Sequence, residues 1–74
     1  MNLDPAELLA LSLMREHGLL PRWSFAFDRA ERRFGSCNER TRRITLSAAL
    51  VRLNSENEVR DTILHEIAHA LVGV

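Results

Sequence analysis

The chain has 74 residues, carries no formal net charge at pH 7, and contains 46% hydrophobic and 27% charged residues. This length allows one small domain and excludes a multidomain enzyme, while the composition is that of a globular protein and excludes a disordered one. Cys37 has no partner for an intramolecular disulfide, which favours the cytoplasm. The apolar run at residues 8–14 is far shorter than the roughly 20 residues that cross a bilayer, so we expect no signal peptide and no membrane span.

The first predicted element is a helix over residues 5–17. Asp4 is its expected N-cap, Pro5 suits the first helical position, and Gly18 is typical of a helix end. His17, in the last turn, is expected to be exposed or to compensate the helix dipole rather than to bind a ligand.

Alternating apolar and polar residues from Trp23 to Asp28 predict a strand whose aromatic face forms a large part of the core. Two further short strands are predicted at residues 34–38 and 43–46, and the three strands suggest an antiparallel meander. Gly35 indicates a bulge or a close approach of the backbone to another element. Cys37 is interpreted as a small buried side chain, because it lacks the closely spaced cysteine or histidine of a structural zinc site.

Two helices complete the chain. Ser47 is expected to cap a short helix over residues 48–53, and Ser55 with Glu58 forms a capping box that starts a helix running to Gly73. The order of helix, three strands, short helix and long helix predicts an α+β fold with the helices covering one face of the sheet.

All ten cationic residues are arginines, and six of them lie between residues 29 and 43, where the only acids are Glu31 and Glu39. Two interpretations of this basic segment remain open. It is either a solvated hairpin or a contact for nucleic acid phosphates. In the second case Arg40, Arg42 and Arg43 are the candidate binding residues.

The chemically informative motif lies in the last predicted helix, where His65, Glu66 and His69 occur together. Residues four apart on a helix lie about 40° apart around its axis, so both imidazoles project from one side and can share a zinc ion. Glu66 could then reach a water on that ion and act as the general base of peptide hydrolysis. The alternative is that both histidines merely pair with neighbours or solvent. Apolar residues occupy the opposite side of the helix, namely Val59, Ile63, Ile67, Ala70 and Leu71.

The segment 62–71, which reads TILHEIAHAL, resembles the active-site helix of the SprT-like zinc metallopeptidases, a family that includes Spartan-type proteases. Residues 23–27, 32–37 and 44–47 agree with the same family in order. The resemblance implies a zincin-like domain that hydrolyses protein or peptide substrates, with His65 and His69 as Zn²⁺ ligands and Glu66 as the general base. Family members are associated with DNA, and some cleave proteins crosslinked to it.

The sequence departs from the family in its metal ligands. A third histidine is expected further downstream, and no His, Cys, Asp or Glu follows His69. We therefore expect residues 1–74 to be a truncated or minimal domain that binds zinc weakly, or with help from water, His17, Cys37 or another chain. The competing hypothesis is a non-catalytic module that binds nucleic acid or a partner on a zincin scaffold. The apolar end of the last helix suggests a homodimer as a third possibility.

Overall fold

The computed structural model of the protein describes residues 1–73. It contains α1 (Leu3–Glu16), β1 (Ser24–Asp28), β2 (Gly35–Asn38), β3 (Arg43–Ser47), α2 (Ala48–Leu53) and α3 (Glu56–Val72). The predicted α+β class and the predicted order of elements are confirmed. None of the helices in this part of the chain combines the length and the apolar character needed to cross a bilayer.

The start of α1 differs from the prediction. Asn2 occupies the N-cap position with extended backbone and makes no side-chain cap hydrogen bond, while Asp4 lies within the first turn. Asp4 is therefore not the cap. The first four N–H groups of a helix have no intrahelical acceptor, so Pro5 is tolerated as the third residue of α1. The helix dipole favours the Asp4 carboxylate in the same turn.

The caps of the later helices follow the prediction. The backbone N–H of Leu50 donates to the Ser47 hydroxyl at the start of α2. At the start of α3, the Glu58 N–H donates to the Ser55 hydroxyl, which in turn donates to the Glu58 carboxylate. Gly73 ends α3 in the left-handed conformation, with φ of 79°.

The sheet is mixed, and the predicted antiparallel meander is wrong. The strand order is β1-β3-β2, with β1 parallel and β2 antiparallel to β3. Alternation along a strand fixes which face of a sheet each side chain joins, but it does not fix the neighbouring strand. The observed order places β3, with Ile44 and Leu46 fully buried, at the centre of the sheet.

The connection from β1 to β2 is attached to β3 by side-chain hydrogen bonds. The Asp28 carboxylate accepts from the Ala30 N–H, the Arg33 guanidinium and the Thr45 hydroxyl. Burial raises the pKa of Asp28, but these hydrogen bonds outweigh that effect and hold the pKa below its ordinary value. The Ser47 hydroxyl also donates to the Ala30 carbonyl at 2.6 Å. These bonds add to the backbone pairing of β1 with β3 and fix the start of the connection to β2.

The core lies between α1, α3 and the sheet. Its buried apolar residues are Ala6, Ala10, Leu13, Met14, Leu19, Ile44, Leu46, Val51, Val59, Ile63 and Ile67. The aromatic residues of the β1 segment, Trp23, Phe25 and Phe27, are only partly buried and pack against this cluster. The expectation that they form a large part of the core is therefore wrong, because β1 is an edge strand.

Candidate functional site

Helix α3 holds the three motif residues in a fixed relation to the core. Val59, Ile63 and Ile67 are fully buried on one side of the helix, as the spacing predicts. Leu71, which the same spacing assigns to that side, is 54% exposed in the last turn. His65 is exposed and His69 is half-buried, so neither ring is enclosed by the core.

The two imidazoles converge at their Nε2 atoms. These atoms lie 3.0 Å apart, with ring centroids separated by 4.6 Å and ring planes at 81°. Two nitrogens that each lie 2.0 to 2.1 Å from a tetrahedral zinc ion are about 3.3 Å apart. A neutral pair in which one Nε2–H donates to the other Nε2 has a similar separation. The donor pair therefore fits two positions of a zinc site, and it equally fits a histidine–histidine hydrogen bond.

Glu66 is the only buried ionisable residue among residues 1–73, with 7% of its surface exposed. Within that part of the chain, its carboxylate makes no hydrogen bond and no ion pair. No fully buried side-chain oxygen in this part of the chain lacks a hydrogen-bond partner, so the unpaired carboxylate oxygens of Glu66 are open to water or a ligand. The side chain lines an open cleft, which is where such a ligand can reach it.

Gly35 allows β2 to approach α3 closely at this point. A Cβ atom built on Gly35 would lie 3.0 Å from Thr62 Cγ2 and 3.2 Å from both Cγ and Oε2 of Glu66. Gly35 pairs with Leu46 of β3 in the regular antiparallel register. The predicted close backbone approach is confirmed.

The cleft has a volume of about 350 Å³ and lies between the start of β2 and α3. It is lined by Phe34, Gly35, Asp61, Thr62, His65 and Glu66. Sequence reasoning did not identify Phe34, Asp61 or Thr62 as cleft residues. Asp61 and Thr62 stand one turn before His65 and Glu66, so helical spacing could have found them. The position of Phe34 depends on the tertiary packing of β2.

The described residues 1–73 contain no convergent group of three or more His, Cys, Asp or Glu side chains. His17 is exposed, and its Nδ1 lies 2.9 Å from the Leu13 carbonyl oxygen, at the end of α1. Cys37 is half-buried in β2. Burial raises the pKa of its thiol, and the nearby carboxylates of Glu66 and Glu39 raise the pKa further. Neither residue joins His65 and His69 as a third ligand.

The candidate nucleic-acid residues do not line the cleft beside His65 and Glu66. Arg40 and Arg42 lie in the turn between β2 and β3, Arg43 begins β3, and all three are exposed. Arg42 has φ of 54°, and its carbonyl accepts a hydrogen bond from the Ser24 N–H. Among residues 1–73 the one ion pair joins Arg33 to Asp28, so no carboxylate pairs with these three arginines.

Residues 8–74 match the SprT-like family of proteins. The match includes the whole sheet, both helices that follow it, and most of α1. No curated protein and no solved structure matches the chain.

The close approach at Gly35 leads to a test by mutation. We expect Gly35→Ala to destabilise the protein by about 1–3 kcal/mol, because the added methyl group overpacks the contact with α3. The free energy of unfolding in urea measures the effect. Thr62→Ser removes the nearest methyl group and retains the hydroxyl that donates to the Glu58 carbonyl.

The double variant should recover part of the loss caused by Gly35→Ala. Contacting residues give non-additive changes, whereas independent sites add to within about 0.5 kcal/mol. Additive free-energy changes for Gly35→Ala and Thr62→Ser would contradict the overpacking explanation.

Proposed function

This chain belongs to the SprT-like family, and we propose that it is a zinc-dependent metallopeptidase domain that hydrolyses peptide bonds in protein or peptide substrates. The observation that carries the proposal is the convergence of the His65 and His69 Nε2 atoms, 3.0 Å apart, on the same helix as the buried carboxylate of Glu66. An open cleft gives a substrate access to His65 and Glu66.

His65 and His69 would hold the zinc ion through their Nε2 atoms. When bound, zinc polarises the carbonyl of the peptide bond and lowers the pKa of water, which makes hydrolysis possible near neutral pH. Catalytic zinc sites use three protein ligands. We therefore propose that a residue outside 1–73, or a second chain, supplies the third.

We assign both proton transfers of peptide hydrolysis to Glu66. Its carboxylate accepts a proton from the attacking water and later delivers that proton to the nitrogen of the leaving amine. The carboxylate has no internal hydrogen-bond partner among residues 1–73, so it is available to the cleft. The backbone of Gly35 packs against its Cγ and Oε2, which restricts the positions that the carboxylate can take.

Zinc titration tests the ligand assignment. Isothermal titration calorimetry should show one zinc site per chain, weaker than a complete structural site because only two ligands come from residues 1–73. His65→Ala and His69→Ala should each abolish zinc binding at this site, since either change removes one of the two nitrogen donors. His17→Ala is the matched control and should leave it intact. Unchanged zinc affinity in both ligand variants would show that the assignment is wrong.

A substitution of Glu66 separates metal binding from catalysis. Glu66→Gln should reduce the cleavage of an unfolded protein substrate by about 100-fold or more, because the amide cannot accept the proton. Zinc binding should be retained. Cleavage is measured with a fluorescent casein, in a chain extended by a segment that supplies the third ligand. Glu7→Gln on the exposed surface of α1 is the control, and undiminished cleavage by Glu66→Gln would exclude Glu66 as the base.

The second candidate function is a non-catalytic module that binds nucleic acid on the same scaffold. The observation that favours it is the exposure of Arg40, Arg42 and Arg43 at the β2–β3 turn, without carboxylate partners among the described residues. Arginine binds phosphate oxygens through two parallel hydrogen bonds. The turn would place three such groups along one surface.

The salt dependence of DNA binding tests this candidate. The logarithm of the affinity should fall linearly with the logarithm of the salt concentration, and each lost phosphate contact should reduce the slope by about one. Arg40→Ala, Arg42→Asn and Arg43→Ala are the test variants, with asparagine chosen at position 42 because it tolerates positive φ. Arg15→Ala on α1 is the control. Binding without salt dependence, or slopes that the three variants leave unchanged, would contradict the candidate.

A further inference from the structure

The cleft beside His65 and Glu66 has a carboxylate on its helix side and an aromatic ring on its strand side. We propose that it binds a lysine or arginine side chain of the substrate, next to the peptide bond that is cleaved. Asp61 would pair with the cationic group, and Phe34 would pack against the apolar stem. This inference rests on the proposed peptidase function and adds a preference for cationic substrates.

Asp61 is placed where it can act on a neighbouring substrate residue. It stands one turn before His65 on α3, about 6 Å along the helix axis at 1.5 Å per residue. It is exposed and lines the cleft. Among residues 1–73 it forms no hydrogen bond or ion pair, so its charge is available to a ligand.

Glu66 gives the cleft a second carboxylate that has no internal partner. Its side chain is 7% exposed and lines the same cleft as Asp61. No lysine or arginine is among the residues that line the cleft. An acidic substrate side chain would be repelled by these two carboxylates, whereas a cationic one would be attracted to the cleft.

Phe34 suits the stem of such a side chain. It is half-buried, and it immediately precedes Gly35 at the start of β2. Lysine and arginine bury their methylene groups against apolar surfaces while their charged ends stay in water. A cation near an aromatic face gains additional attraction. Phe34 and Asp61 would therefore contact the two chemically different parts of one side chain.

Peptide binding tests the inference without requiring catalysis. Three peptides identical except for a central lysine, norleucine or glutamate are titrated into the ¹⁵N-labelled 74-residue chain, with a chelator present, and followed by NMR. The lysine peptide should bind about fivefold more tightly than the norleucine peptide, which corresponds to an ion pair of about 1 kcal/mol. The amide signals of Phe34, Asp61 and Thr62 should shift.

Two substitutions at position 61 give opposite expectations. Asp61→Asn should remove the preference for lysine, and Asp61→Lys should reverse it, so that the lysine peptide binds more weakly than the norleucine peptide. Glu7→Gln, an exposed change on α1, should retain the preference of the unsubstituted chain. Equal binding of the lysine and norleucine peptides, or a lysine preference that survives Asp61→Asn, would overturn the inference.

Failure of this inference is distinguishable from failure of the proposed function. Cleavage without a lysine preference would retain the peptidase and remove the cationic subsite. A lysine preference that depends on Asp61, in a chain whose histidine variants bind zinc normally, would retain the subsite and remove the zinc assignment.

Discussion

The contact between Gly35 and helix α3 is the constraint on which the candidate site depends. β2 is an edge strand, and its backbone lies so close to α3 that a single methyl group at position 35 would be 3.0 Å from Thr62 and 3.2 Å from Glu66. This contact places Gly35 and Glu66 next to each other in the lining of the cleft. A side chain larger than hydrogen at position 35 would separate the strand from the helix and change the cleft.

Apolar burial and two favourable caps stabilise α3, the helix that carries the candidate site. Val59, Ile63 and Ile67 are fully buried, and each such side chain contributes about 1.5–3 kcal/mol relative to exposure. Ser55 and Gly73 terminate the helix with favourable caps. These contributions hold in place the helix on which His65 and Glu66 line the cleft.

Local features of the sequence predict the elements, while tertiary features determine how they combine. The helix caps at Ser47 and Ser55, the buried side of α3 and the close approach at Gly35 were all predictable, because each depends on spacing or on the chemistry of one residue. The parallel pairing of β1 with β3 was not, since it joins segments distant in sequence, as do the hydrogen bonds from Thr45 to Asp28 and from Ser47 to Ala30. For the same reason, helical spacing places Asp61 beside His65, but no local pattern places Phe34 opposite it.

The arrangement of β2 would make the two proposed functions, peptide hydrolysis and nucleic acid binding, compatible. β2 starts at Gly35 in the cleft and leads into the arginine turn, and four residues of strand extend about 13 Å. Helix α3 runs alongside: its middle contacts Gly35, and its end at Gly73 lies next to the Glu39 carboxylate. An anion bound at Arg40 or Arg42 would therefore leave the cleft open, and the acidic residues Asp61 and Glu66 would repel it from there. If both proposals hold, the arginine turn that follows β2 and the acidic cleft at the start of β2 would bind ligands of opposite charge at different places.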